Sequence, residues 1–386
     1  MLRSSTLLLL VAAAAPVLPV VAGDAPVPAA TTAATAPAPL PTKAEVDALI
    51  ASSIAFLRAQ QLPDGHFSDN KRFALGFTQL ATLGLLKAGV PKDDPQVAKA
   101  LAVIMASRQK DGGFYGESGL SNYTTSLALQ ILAHIKHDDK DMIRGAQDYL
   151  FGIQNREQGS LTEGGIGYGS RGKGNEDLSN TAFAIQALRD SGVPASDERL
   201  QAALKFLERC QDLSSVNKLP FVKNTGGAFY SPDESKAGGS QQTPGSPAIT
   251  VMLPYGSMTY QLISSYVALD LKADDPRVQA ALAWTTRNWR LDVNPGMPEA
   301  RAGQGLFYYY VALARTMDLL NLKAVTLADG RTVDWRGELF QQLRQRAIQA
   351  QQGTSWVNPA DRWQEGVPTL VTSYVLQSLA RIRQSL

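Results

Sequence analysis

A short amphipathic helix that ends in Gln or an aromatic residue, then a Gly-rich loop, then a nearly all-apolar helix recurs six times along this chain. The clearest copy runs Phe56-Leu57, three residues, Gln61, three residues, Gly65-His66-Phe67. The frame returns at Ile104-Met105…Gln109, Tyr149-Leu150…Gln154, Phe206-Leu207…Gln211, Trp284-Thr285…Trp289 and, loosely, Ala347-Ile348…Gln352. Self-similarity at a fixed period marks a repeat architecture, because one unit cannot bury its apolar face alone.

The two helices of a unit differ. In the first, exemplified by Glu198 to Leu207, Leu200, Ala203, Leu204 and Leu207 share one face and charges fill the rest, the pattern of a half-exposed outer helix. The second is apolar almost all round and must be buried on every side. Thr125 to Leu132, Thr181 to Leu188 and Thr372 to Leu379 align residue for residue; Thr78 to Leu85 and Thr259 to Tyr266 follow less strictly, and the fifth unit has Phe307-Tyr308-Tyr309-Tyr310 instead. Short connectors with Asp93-Asp94, Asp138-Asp139 and Asp274-Asp275 lie at one end, where they read as helix caps. The Gly-rich loops lie at the other end, and the fourth grows to residues 212–256.

An open row of such pairs would expose its terminal inner helices unless they were capped, and neither end of this chain has a polar cap. Six pairs closing on themselves solve this. The expected fold is all-α, an α6/α6 toroid with parallel inner helices inside an outer ring, over residues 43–386. Ahead of it, residues 1–22 read as a signal peptide, with Arg3, an apolar run from Leu7 to Ala15 and small residues near Ala22. Residues 23–42 are an Ala/Pro/Thr-rich spacer. The expected localisation is therefore exported, periplasmic or extracellular. A single Cys, Cys210, excludes an internal disulfide framework, and a formal net charge of +2 gives no support for nucleic-acid binding.

The frame at Phe56 to Phe67, its echo in Gln109 to Phe114, and the stretch Gly164 to Tyr168 followed by Asp177 to Thr181 resemble the repeats of squalene cyclases and protein-prenyltransferase β-subunits. Tyr255 to Thr259, Asn294 to Met297, Gly305 to Tyr309 and Trp356 to Trp363 resemble a secreted bacterial branch, the prenyltransferase/squalene-oxidase-repeat proteins of the terpenoid cyclase/protein prenyltransferase superfamily. The resemblance implies a cavity lined by the N-terminal ends of the inner helices, under the Gly-rich loops.

The usual catalytic sets of that superfamily are not seen. The Asp-x-Cys of a zinc site reads Asp177-Leu178-Ser179, and His66, His134 and His137 do not open inner helices, so no metal and no cofactor is expected. No Asp-x-Asp-Asp tetrapeptide occurs, and no phosphate cradle is visible. Acids at the loop end are Asp64, Glu117, Glu163, Asp177, Glu234, Asp292, Glu299, Asp361 and Glu365. Asp177, Asp361 and Glu365 immediately precede inner helices, where the helix dipole favours a carboxylate, and are the candidate catalytic acids. Tyr255, Tyr260, Tyr308, Tyr309, Tyr374, Trp363 and Asn180 are the candidate ligand-binding residues. Three uses fit: binding or transforming an apolar, isoprenoid-like ligand in the central cavity; cleaving a glycan with paired mouth carboxylates; or serving as a non-catalytic envelope scaffold that meets a protein partner through the long fourth loop.

Overall fold

A computed structural model describes residues 38–116, 119–169, 175–238 and 252–386. The segment expected to be a signal peptide, most of the expected spacer, and Glu117 lie outside the described residues. The chain forms α1 (Lys43–Gln60), α2 (Ala74–Lys87), α3 (Pro95–Ala106), α4 (Ser121–His134), α5 (Lys140–Gly152), α6 (Leu178–Asp190), α7 (Glu198–Cys210), α8 (Gly256–Ala268), α9 (Pro276–Arg287), α10 (Leu306–Leu319), α11 (Trp335–Gln345) and α12 (Pro368–Ser385). No described helix is long and apolar enough to cross a membrane.

Even-numbered helices contact one another in the order α2, α4, α6, α8, α10, α12 and back to α2, which closes a ring. Their burial matches: α2 is buried continuously from Phe77 to Leu86, whereas α3 buries only Val97, Ala100 and Ile104. In α7, the stripe of Leu200, Ala203, Leu204 and Leu207 is buried as its spacing predicts. Starts of inner helices meet starts, as Asn122 Nδ2 donates to Asn180 Oδ1 at 3.3 Å. Ends meet ends: Arg189 Nε of α6 donates to the Ala268 carbonyl of α8 at 2.6 Å. Helices α4, α6 and α8 therefore run parallel.

The outer–inner helix pairs are offset by one from the sequence unit. Each outer helix packs on the inner helix before it, α3 on α2 through α11 on α10, and α1 packs on α12. A short connector forces antiparallel adjacency, while the longer Gly-rich loop carries the chain on to the next position in the ring. The second Asp of the three connectors caps the outer helix that follows, Asp94 on α3, Asp139 on α5 and Asp275 on α9; Asp197 and Asp334 do the same for α7 and α11.

Three kinds of recurring residue lock most of the loops. The frame's Gln reaches across the loop to the next outer helix: the Nε2 atoms of Gln61, Gln154 and Gln211 donate to the carbonyls of Gln96, Arg199 and Arg277 at 2.8–2.9 Å. Gly112, Gly164, Gly226 and Gly353 hold φ of +83° to +117°, and a Cβ there would lie 2.1–2.3 Å from a backbone oxygen of the next outer helix. The aligned inner-helix Thr takes the loop's next N–H. Thr78, Thr125, Thr181, Thr259 and Thr372 accept from Phe67, Phe114, Ile166, Ala228 and Trp356 at 2.9–3.3 Å.

The fifth unit uses other side chains. Trp289 Nε1 donates to Glu338 of α11 at 2.7 Å in the Gln's place, and the hydroxyls of Tyr309 and Tyr310 donate to the carbonyls of Arg290 and Leu291. The loose sixth frame is not the end of a helix. Helix α11 stops at Gln345, and Ile348–Ala350 pairs with Gly353–Ser355 in a small hairpin (β3 and β4). A second hairpin, Ala324–Thr326 with Thr332–Asp334 (β1 and β2), leads into α11. The alternation of Ala347 to Ala350 is too short to separate strand from helix by period alone.

Candidate functional site along the ring axis

The loop end of the axis is built around Asp177, the N-cap of α6. Its carboxylate accepts from the Asn180 backbone N–H and side-chain amide, both at 2.8 Å, and is 1% exposed. Burial raises its pKa to about 6, although Asn180 and Tyr230, through hydrogen bonds, and the Lys236 charge act the other way. Around it, Tyr168 and Tyr230 share a hydroxyl contact of 3.1 Å, Lys236 Nζ lies 4.3 Å from the Tyr230 ring centre, and Lys236 pairs with Glu234 at 2.5 Å. Sequence reasoning singled out Asp177 and Asn180 but not Lys236, a cation in the long fourth loop with no frame to mark it.

Below this rim, aromatic side chains fill the axis. Tyr308 stacks with Phe183 at 6.3 Å, while Phe183 and Tyr123 (4.7 Å) and Tyr308 and Tyr374 (6.1 Å) meet at tilted angles. The Tyr308 hydroxyl bonds Ser179 Oγ and Gln261 Nε2, both at 2.8 Å, while Tyr123 and Tyr374 hydroxyls meet at 3.3 Å. Four inner helices, α4, α6, α10 and α12, thus contribute one ring each.

The space on the axis lies beyond this layer, toward the connectors rather than the loops. A cavity of about 50 Å³ is walled by Leu80, Leu83, Leu127, Val311, Ala312, Phe183, Tyr308 and Tyr374. Gln130, Gln186 and Gln377 ring it; each stands five residues after an aligned Thr. Lys87, Arg315 and Arg381 line its far side. A second cavity of about 210 Å³ shares Lys87, Gln377 and Arg381 with the first and is completed by His134, Ala380 and Gln384, the last exposed.

The remaining sequence candidates sit elsewhere. Tyr260 and Tyr309 are fully buried against each other, with ring centres 5.6 Å apart, and do not line the axial cavity. Tyr255 is buried as the residue before α8, its N–H bonded to the Ala228 carbonyl at 3.2 Å. Glu365 is 1% exposed, and its carboxylate accepts from the Tyr308 N–H at 2.7 Å and from Asn358 Nδ2 at 2.6 Å. It thereby caps α10, whose own N-cap residue is Gly305, and burial raises its pKa to about 7. Asp361 accepts from the Gly366 N–H at 2.8 Å. Trp363, 43% exposed, carries the Arg362 guanidinium 5.2 Å from its ring and packs on Gly305. Asp177, Glu365 and Asp361 are therefore each engaged by backbone N–H groups of a helix start or turn. Among the described residues no three His, Cys, Asp or Glu side chains gather as a metal site.

Comparison with known proteins fits this geometry. Residues 78–226 match the family described as the squalene-hopene cyclase C-terminal domain. No curated protein matches the chain by sequence. By structure, the type II terpene cyclase MstE from Scytonema superposes with a TM-score of 0.58 at 14% identity, over 90% of this chain and all of that one. Candida albicans protein geranylgeranyltransferase-I gives 0.51 at 12% identity, over 86% of this chain and 90% of that one. An α-amylase from Clostridium perfringens gives 0.55 at 10% identity, over 87% and 98%. At such identities the likeness is one of fold, which different chemistries share. The closed ring and the structural neighbours give the chain the α/α-toroid fold that terpenoid cyclases and protein prenyltransferases share, and residues 78–226 are similar to the squalene-hopene cyclase C-terminal domain.

Proposed function

We propose that this toroid binds, or transforms, an apolar isoprenoid-like molecule on its axis, and does so outside the cytoplasm, where the signal-like N-terminus would direct it. The observation that carries this reading is the layer of Phe183, Tyr308, Tyr123 and Tyr374 above a wall of Leu80, Leu83, Leu127 and Val311. Aromatic faces and branched aliphatics are the surfaces that recognise an isoprenoid chain. Point variants of MstE have been solved with geranylgeranyl dihydroxybenzoate and with merosterolic acid A, and the Candida enzyme with GGPP, so the same fold accommodates such ligands in those proteins. The present cavities are below the roughly 300 Å³ typical of ligand pockets. A ligand of isoprenoid length therefore requires Tyr308 and Tyr374 to turn aside. Asp177 is the polar group of this reading: a buried carboxyl with a pKa near 6 keeps a transferable proton at mildly acidic pH. The glycan-cleaving alternative draws less support, because Glu365 and Asp361 are occupied in holding backbone.

Mass spectrometry of small molecules extracted from the purified full chain tests the reading. An apolar isoprenoid-like species should co-purify, and Tyr308→Ala should change its amount by about tenfold, one decade being 1.4 kcal/mol. Tyr309→Ala, which alters no axial wall, should not change the retained species in any molecule that still folds. A clean extract together with no binding of geranylgeraniol by calorimetry would refute it.

A further inference from the structure

The charges of the six inner helices are confined to their C-terminal halves. They are Lys87, His134, Arg189, Asp190, Arg315, Asp318, Arg381 and Arg383. Cations are expected there, since the helix dipole is negative at that end. Two of them do that work: Arg189 donates to the Ala268 carbonyl, and Arg383 Nη2 donates to the Ala88 carbonyl at 2.9 Å. Lys87 and Arg315 do not. Neither makes a hydrogen bond or ion pair with any described residue, although both line the axial cavity. Arg381 spends Nη1 on Asp318 at 2.6 Å and leaves a buried Nε without a partner. The acids nearby are Asp318, held by Arg381, and Asp190, held by Gln186. Three cations thus line a cavity that also presents the amides of Gln130, Gln186 and Gln377, while the two nearby acids are not among its walls. Burial and the neighbouring Arg381 charge push the Lys87 pKa down to about 8, which is what an uncompensated cluster does. Half-buried cations of one sign without partners are costly unless a counter-charge completes them.

We propose that the connector end of the ring axis is an oxyanion site, in which Lys87, Arg315 and Arg381 together hold a phosphate-type group, either free or at the head of an apolar chain. Guanidinium forks and an ammonium suit that group, the glutamine amides add neutral donors, and the second cavity, reached past exposed Gln384, gives it a way in. An apolar tail would continue from this point along Leu80, Leu83, Leu127 and Val311. The site goes beyond the reading above and stands whether or not an isoprenoid occupies the aromatic layer.

Titration calorimetry of the full chain with inorganic phosphate, dodecyl phosphate and dodecanol tests it. At least one phosphate probe should bind, and about tenfold more weakly to Arg315→Gln and to Lys87→Met. Equal binding of the two phosphate probes identifies a free oxyanion, and binding of dodecyl phosphate alone identifies a head group. No binding by either phosphate, dodecanol binding as tightly as dodecyl phosphate, or affinities unchanged in both variants would overturn the proposal. Lys87→Met, in the last turn of α2, serves if Arg315→Gln fails to fold. A neutral isoprenoid found in extracts of a protein that ignores phosphate would sink this site and leave the axial reading intact.

Discussion

At the loop end of the ring, buried carboxyls are satisfied by backbone: Asp177 by the start of α6, Glu365 by the start of α10. At the connector end, half-buried cations face a cavity, and two of them meet no acid or carbonyl among the described residues. Both ends belong to the same six helices and answer the same dipoles, negative groups at the amino ends and positive groups at the carboxyl ends. The difference is how far the dipole and local partners complete each charge. The loop end is clamped, by Gln, Gly and Thr in successive units; the connector end is held by caps and leaves room.

That contrast breaks first at glycine. Gly164 and Gly192 both hold positive φ, +83° and +98°, but a Cβ on Gly164 would sit 2.1 Å from the Ala202 oxygen, whereas one on Gly192, in a connector, would meet nothing within 4 Å. Gly164→Ala should cost about 4 kcal/mol or more in denaturant unfolding, and Gly192→Ala only about 1 kcal/mol. Equal costs would mean that the loop end is not the clamped one.

The two ends should also respond oppositely to pH. Glu365 has a folded pKa of about 7 against an ordinary 4.5, so the folded form holds the proton more tightly. Its contribution is fully present below pH 4.5 and is lost as pH rises to 7, by up to about 3 kcal/mol at 1.36 kcal/mol per unit. Glu365→Gln should flatten stability across that window. Lys87 has a folded pKa of about 8 against 10.5, so the folded form releases the proton first. Its contribution grows as pH rises from 8 to 10.5, by about 2 kcal/mol after discounting for partial exposure, and Lys87→Met should abolish that smaller rise. Thermal unfolding of the wild type and both variants from pH 4 to 10.5 measures all of these slopes, and a wild-type profile without either slope would contradict the assignment of the two ends.

Much of the ring was legible in the chain because its glue is residue-specific. Gln61, Gln154 and Gln211, the loop glycines and the aligned threonines stand out by spacing, and each makes the same bond in its own unit. The axial site was less legible. Tyr308 and Tyr309 are adjacent, and only the helix's rotation in the ring decides that Tyr308 faces the axis while Tyr309 bonds Arg290 on the outer side. Glu365 precedes α12 in sequence yet caps α10, a relation between neighbours in the ring that local pattern does not carry. The cation cluster left a signal in the chain: Lys87, Arg315 and Arg381 stand in the C-terminal halves of inner helices, and Gln130, Gln186 and Gln377 recur at one offset from the aligned Thr. What no spacing gives is that these six, from five helices, share one cavity.

Closure of the ring by α12 against α2, with α1 packed on α12, brings the two ends of the helical body together. Gly337 at the start of α11 lies against the backbone oxygens of Ala38 and Pro39, and its neighbour Arg336 donates to the carbonyl of Ser385. The order in which the helices are threaded is thus separable from the circle they make. A permuted chain that joins residue 386 to residue 38 by a short linker, and begins instead in the connector between α4 and α5, would lay down the same twelve helices with every clamp intact.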